Sequence, residues 1–242
     1  MNIQLSNIND FITRQLGALS HLLYPDICIA CNERLITVEN AFCFECYTSL
    51  PFAHQINDSE NDFLKHFEGK AKLVHGAALL NFIKTGAIQD IIKKLKYHDR
   101  PQYGVILGEI FAKSMSAGNK FGEIDVVVPV PLHPKKEMKR GYNQSYMFAK
   151  GIGNILECDV SCDNLIRVKN TQTQTKLDNV SRMKNVKNAF VVSNPDIFIG
   201  KHVLVVDDVL TTGSTLLACY FALQDIEGIS ISFATIATGD LM

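Results

Sequence analysis

Apolar positions recur along this chain with two periods, and each period predicts a different element. Residues 1–24 set Ile8, Phe11, Ile12, Leu16, Leu19, Leu22 and Leu23 on one helical stripe, and Pro25 stops the helix. Residues 86–98, GAIQDIIKKLKYH, show the same period with Ile88, Ile91, Ile92 and Leu95 inward. Lys93, Lys94 and Lys96 take the other face, with His98 and Arg100 beyond it. Residues 103–116 and 143–156 read as further helices. Short apolar runs predict buried strands at Ile124–Val130, Phe190–Val192, His202–Val206 and Ile229–Ala237. Residues 73–83, LVHGAALLNFI, read as one strand or a pair.

The run before Asp207 organises the rest. Val203–Val206 lead into Asp207 and Asp208, which this reading places just past the carboxyl end of a parallel strand, where open α/β sheets bind ligands. Thr211, Thr212, Gly213, Ser214 and Thr215 follow as a tight hydroxyl-rich turn, and Leu216, Leu217, Tyr220 and Phe221 then take helical spacing. Free N–H groups at a helix start, together with hydroxyls, make an anion site. Carboxylates cannot hold phosphate, but they accept hydrogen bonds from vicinal hydroxyls, directly or through a divalent cation. The expected ligand carries a sugar diol at one end and a phosphate at the other, which describes a ribose 5-phosphate. The plainer reading is a buried strand with a surface acid pair and a Thr-rich cap. Strand, acids and turn in this order favour the ligand site.

Composition narrows the picture. The chain has 242 residues, 47% of them apolar and 20% charged, so it can fold around a proper core. The net charge of −1 gives no global nucleic-acid footprint, so any basic contact must be local. No run is long enough to span a membrane and no secretory leader is evident, so neither membrane insertion nor export is expected. Only Arg14 accompanies the N-terminal stripe before His21, which favours a docked helix over a membrane-surface one.

Four of the seven cysteines fall into two pairs, Cys28-x2-Cys31 and Cys43-x2-Cys46. Two such pairs can close a tetrahedron of thiolates round one Zn2+, a structural site with no open position. A module of ~25 residues cannot hold its own core, so the metal would supply much of its folding energy. The cluster also fits a reducing compartment, and hence the cytoplasm. Cys158, Cys162 and Cys219 are unpaired by spacing and receive no role.

Two other stretches carry charge or hydrogen-bonding groups. Pro129 and Pro131 force an extended exit from their strand, and Lys135, Lys136, Lys139 and Arg140 follow. A basic loop at a strand end suits a pyrophosphate or a nucleic-acid backbone. Tyr97 and Tyr142 lie among the cations and could stack on bases. Residues 161–190 have little core-facing pattern, with Thr171-Gln172-Thr173-Gln174-Thr175-Lys176 followed by Arg182, Lys184 and Lys187; they read as a lid, a hairpin or a disordered insertion.

The stretch VVDDVLTTGST resembles the phosphoribosyl pyrophosphate (PRPP) motif of type I phosphoribosyltransferases. That resemblance implies that Asp207 and Asp208 hold the ribose hydroxyls and that Thr211–Thr215 hold the 5′-phosphate. The chain as a whole resembles the ComF family of competence-associated, phosphoribosyltransferase-like proteins. Besides that motif, the matching features are the apolar N-terminal helix, the two Cys pairs, Lys96-Tyr97 and Val128–Leu132. Lys139–Gln144, Leu165 with Arg167, Thr171, Gln174, Arg182, Asn185 and Ala189-Phe190 complete the set.

The ComF resemblance implies a type I phosphoribosyltransferase fold, a mostly parallel central sheet with flanking helices and a hood, behind a small four-Cys zinc module. The expected organisation is a helix and zinc module at 1–50, a polar linker at 51–72 and the phosphoribosyltransferase-like domain at 73–242. Residues 131–140 would face the pyrophosphate, with Lys139 and Arg140 on the leaving group, and residues 165–190 would form the hood. Mg2+ would come with PRPP, and single-stranded DNA and competence proteins would be partners. Two functions follow: a phosphoribosyl transferase acting on a base or amine, and a module that binds PRPP or a ribose-5-phosphate moiety while handling incoming DNA.

Overall fold

The apolar runs pair into one parallel sheet. The structure, a computed structural model, describes residues 27–36, 41–53, 56–81, 87–97, 100–168 and 189–239. It divides into two units, Met1–Leu50 and Pro51–Met242. In the first unit the described residues hold an antiparallel bridge between Ile27 and Arg34 and a short helix, α1 (Phe44–Ser49). In the second the chain runs through α2 (Asp62–Phe67), β1 (Gly76–Asn81), α3 (Ala87–Tyr97), α4 (Pro101–Ser116) and β2 (Val126–Pro129). It continues through α5 (Pro134–Arg140), α6 (Gln144–Leu156), β3 (Asp159–Val160), β4 (Leu165–Arg167) and β5 (Phe190–Val192). It ends with β6 (His202–Leu210), α7 (Ser214–Leu223) and β7 (Ser230–Thr238).

The sheet order is β1-β7-β6-β2-β3, and every pair is parallel. Helices that cover both faces leave the central strands no wet side. Val203, Leu204, Val205 and Val206 are accordingly all buried, as is the run from Ile231 to Ala237. β4 and β5 form a separate antiparallel ribbon, with Arg167 opposite Phe190. This ribbon flanks residues 169–188, which hold the Thr-Gln run and Arg182, Lys184, Asn185 and Lys187; those positions lie outside the described residues. So does the N-terminal stripe. Among the described residues no helix is long and apolar enough to cross a membrane.

The edge where β2 and β6 part creates the site. β2 pairs with β6 up to Pro129 opposite Val206, and Val130 N–H adds a last bond to the Val206 carbonyl at 2.9 Å. Pro131 has no N–H with which to continue the ladder. β7 stays paired with β6 as far as Thr238 opposite Leu210. The sequence reading ends β6 at Val206. The strand instead runs on to Leu210, because β7 still supplies a partner. Asp207 and Asp208 therefore sit inside the strand, beside the gap left by β2. Connections leave β2 and β6 in opposite directions across the sheet, so this gap is a topological switch point.

Two contacts fix the surrounding layers. Residues 51–72, read as linker, pack against the sheet. Asn61 caps α2 by accepting from Leu64 N–H at 2.9 Å and ties it to β1 by donating to the Gly76 carbonyl at 2.9 Å. Phe63 and Phe67 of α2 are buried, and Phe67 meets Phe233 edge-on at 5.1 Å. On the other side, α4 and α6 approach backbone to backbone: a Cβ on Gly151 would lie 2.0 Å from the Val105 carbonyl oxygen, and one on Gly108 would lie 2.2 Å from that of Phe148. Gly151→Ala should force the helices apart and cost about 3 kcal/mol. A urea midpoint unchanged from wild type would refute this.

Candidate functional site

The gap beside β6 is a cleft of about 180 Å3 that gathers four cations and two carboxylates: Lys96, Lys136, Arg140, Arg167, Asp207 and Asp208. Val130, Pro131, Leu132, Gln144, Ser145 and Thr215 complete its wall. α6 is tied to the end of β2 by Asn143, whose Oδ1 accepts from Ser145 N–H at 3.0 Å while its Nδ2 donates to the Val130 carbonyl at 3.0 Å. That N-cap aims Ser145 at the acid pair. Ser145 Oγ donates to Asp207 Oδ1 at 3.0 Å, and Asp208 N–H donates to the same oxygen at 2.8 Å. Arg140 ends α5, where Gly141 turns at φ 79°, and its Nη1 donates to Gln144 Oε1 at 2.8 Å.

The two carboxylates differ. Burial pushes Asp207 up to about 7, and the neighbouring charge of Asp208 adds to the shift. Asp208 N–H, the Ser145 hydroxyl and Lys96 oppose it without cancelling it. Near neutral pH, Asp207 is thus divided between its acid and its ionised form. Asp208 is ion-paired with Lys96 at 3.0 Å. The hydrogen bonds and the ion pair engage Asp207 Oδ1 and Asp208 Oδ2, so each carboxylate keeps a second oxygen that could accept from a ligand hydroxyl or join a Mg2+ brought in with a phosphorylated ligand.

Thr211–Gly213 turn the chain from β6 into α7. Gly213 has φ +68°, and a Cβ there would lie 2.8 Å from His66 Nε2. Only glycine meets both demands. Gly213 at the N-cap brings no side chain; Ser214 N–H donates to Thr212 Oγ1 at a long 3.5 Å, and the Thr215 and Leu216 N–H groups of the first turn of α7 are left for a ligand. Thr212 Oγ1 and Ser214 Oγ are 3.0 Å apart, and His66 Nε2 sits 3.1 Å from the Thr212 carbonyl, bracing the turn from α2.

Of the residues singled out from sequence, Asp207, Asp208, Arg140 and Thr215 line the cleft, while Thr211–Ser214 form the adjoining turn. Lys139 is not among the lining residues, and Lys136 is. Lys96, Arg167 and Ser145 received no cleft role from sequence. Lys96 lies on a lysine-bearing helix face that reads as solvent-facing. Arg167 is brought in by the β4–β5 ribbon, where it lies over the Phe190 ring at 5.4 Å. Ser145 depends on the Asn143 cap, and an Asn-x-Ser spacing alone would mark it only weakly.

In the first unit Cys28, Cys31, Cys43 and Cys46 bring their sulfurs within 4.8 Å of one another, with Cys31 and Cys43 at 3.7 Å. A Zn2+ with bonds of ~2.3 Å sets sulfurs roughly 3.8 Å apart, so the cluster fits the ion. The Cys28–Cys31 turn is closed by Asn32 N–H on the Cys28 carbonyl at 3.0 Å, with Asn32 at φ 67°. Burial would raise the Cys28 thiol, but backbone N–H groups of Cys31, Cys43 and Ala30 bring it down to about 7. Cys46 is pushed far up by burial and by the neighbouring thiols. Four crowded sulfurs cannot all ionise unless a cation joins them.

The phosphoribosyl transferase domain family matches residues 95–240. The chain belongs to this family. The match takes in every cleft residue from Lys96 to Thr215, and the parallel sheet with its β4–β5 ribbon is the type I phosphoribosyltransferase fold. Among curated relatives, the DNA utilization protein YhgH of Salmonella typhi is 31% identical over 135 residues, 54% of this chain and 59% of that protein. The chain thus spans less than two thirds of that relative. Competence protein F of Haemophilus influenzae is 26% identical over 201 residues, 78% of this chain and 86% of that protein. These two names agree with the ComF resemblance of the sequence. A solved glutamine PRPP amidotransferase from B. subtilis aligns with a TM-score of 0.40 at 18% identity, over 59% of this chain and 30% of that one.

Proposed function

We propose that the cleft of this phosphoribosyltransferase-like domain holds a ribose 5-phosphate group, PRPP in the first instance, and that the protein works in the use of incoming single-stranded DNA. One observation carries the first half: two carboxylates and a helix start with a glycine N-cap lie at either end of the same β6–α7 turn, beside the β2 gap. Ribose hydroxyls donate to Asp207 and Asp208. The 5′-phosphate accepts from the first-turn N–H groups of α7 and from the hydroxyls of Thr211, Thr212, Ser214 and Thr215. Lys136 and Arg140 face the pyrophosphate. The second half is supported by the names of the relatives, which refer to DNA utilization and competence.

Titration calorimetry tests both halves. PRPP and ribose 5-phosphate should bind and ribose alone should not. Asp207→Asn combined with Asp208→Asn should abolish the signal, and an unchanged PRPP dissociation constant in that variant would defeat the reading. For DNA, neutralising Lys135, Lys136, Lys139 and Arg140 should weaken single-strand binding and flatten its salt slope by about 3. An unaltered slope would exclude that segment as the contact. Pyrophosphate released from PRPP on adding a base or amine would extend the function to group transfer.

A further inference from the structure

Helix α5 is short and crowded with charge. At 1.5 Å per residue its 7 residues span about 10 Å. They carry Lys135, Lys136, Lys139 and Arg140 against one acid, Glu137. Successive residues on a helix stand about 100° apart. Lys136 and Arg140 thus share one side, and Lys135 and Lys139 share the side next to it. The cleft takes up the first pair and not the second. Its two cations are not held alike. Arg140 is half-buried, and its Nη1 donates to Oε1 of Gln144, which is itself buried and donates through Nε2 to the Tyr142 carbonyl at 3.2 Å. Lys136 lines the same cleft but is exposed, with its ammonium on a long flexible stem. Lys136 can therefore reach a phosphate inside the cleft, or one that passes outside it beside Lys135 and Lys139.

A bound PRPP sets its pyrophosphate against one side of α5, and single-stranded DNA follows the same helix by its phosphates. An element about 10 Å long is hardly longer than the Debye length, about 8 Å at about 0.15 M salt. Screening therefore separates two polyanions on it only in part. Both also draw on the Lys136 ammonium, which cannot pair fully with each at once. We infer that filling of the cleft and binding of single-stranded DNA oppose each other through Lys136. The ribose-phosphate ligand loosens the hold on DNA, and by linkage DNA loosens the hold on the ligand by the same factor. This coupling rests on both halves of the reading above and goes beyond them by making the cleft a regulator of the DNA surface, whether or not group transfer follows. A ligand with a 5′-phosphate but no pyrophosphate leaves Lys136 available and couples weakly.

The experiment is fluorescence anisotropy of a labelled oligodeoxythymidylate at fixed Mg2+ and ionic strength, with and without saturating PRPP or ribose 5-phosphate. Calorimetry of PRPP with and without the oligonucleotide completes the cycle. Saturating PRPP should raise the wild-type DNA dissociation constant about tenfold, the worth of one or two phosphate contacts, and flatten its salt slope by about 1. Ribose 5-phosphate should raise it no more than about twofold. Saturating DNA should raise the PRPP dissociation constant by the same factor as PRPP raises that of DNA. Lys136→Gln should weaken both ligands and cut the coupling to about threefold or less. In the protein carrying Asp207→Asn and Asp208→Asn, added PRPP should leave DNA binding unchanged. Three results each overturn this inference and leave the ribose-phosphate reading standing: wild-type DNA binding indifferent to PRPP, an effect as large with ribose 5-phosphate or in the double Asn variant, and a coupling untouched by Lys136→Gln. An oligonucleotide that wild type does not bind overturns it together with the DNA half of that reading. PRPP that wild type does not bind overturns it together with the ribose-phosphate half.

Discussion

Asp207→Asn should make the protein more stable at pH 8 while costing it its hold on ribose phosphates. The folded carboxyl is raised to about 7, first by burial and then by Asp208, whereas an unfolded Asp ionises near ~3.9. A raised acid contributes stability that is fully present below the unfolded value and is lost as pH climbs through the folded one. Wild type should therefore weaken between about pH 4 and pH 7. Asn stays neutral throughout, and its Oδ1 can still accept from Ser145 Oγ and Asp208 N–H. At about 1.4 kcal/mol per pH unit of displacement, with relaxation round a buried pair, the gain at pH 8 is about 2 kcal/mol or more. Urea midpoints of both proteins at pH 5 and pH 8 decide it. Parallel pH dependences would mean that Asp207 is not the group under strain.

Removing one sulfur from the cluster should have the larger structural effect. Structural zinc contributes roughly 10–16 kcal/mol of binding free energy in small finger peptides near neutral pH, more than a unit the size of Met1–Leu50 gains from its core. Cys28→Ser should take zinc from one ion per chain to none by emission spectroscopy. It should also open the chain round Arg34 to trypsin. Ordered pairing in Pro51–Met242 should survive, because its sheet and core are made within that unit. Full zinc retention in the variant, or no metal in freshly reduced wild type, would remove the assignment.

The sheet and the place of the acid pair on β6 were legible in the sequence for one reason. Strands buried on both faces must be apolar throughout, so the Val-rich runs at 126–130 and 203–206 announce themselves, and any acid beside them stands out. The length of β6 was not legible. Whether the acids end a strand or lie within it depends on β7 continuing alongside, which is a fact about a partner segment. The role of 51–72 was hidden similarly: Phe63 and Phe67 are two apolar residues in a polar stretch, and only the nearness of Phe233 makes them core. Lys96 was the hardest to see. Helical periodicity separates inward from outward faces, but it cannot tell that part of an outward face meets a neighbouring strand end. The contact of α4 with α6 is likewise silent, since glycine has no side chain to set a period.

Because Asp207 and Asp208 belong to a strand still bonded to β7, with Asp207 opposite Thr235, the carboxylate end of the cleft is built on rigid scaffold. The other end is a turn, and the cations come from helices and a ribbon around it. Divergence among descendants of such a protein has an uneven field in which to act. The corner that carries the acid pair resists change because altering it disturbs the middle of the sheet, while the rest of the cleft can be refitted by remodelling the borders alone.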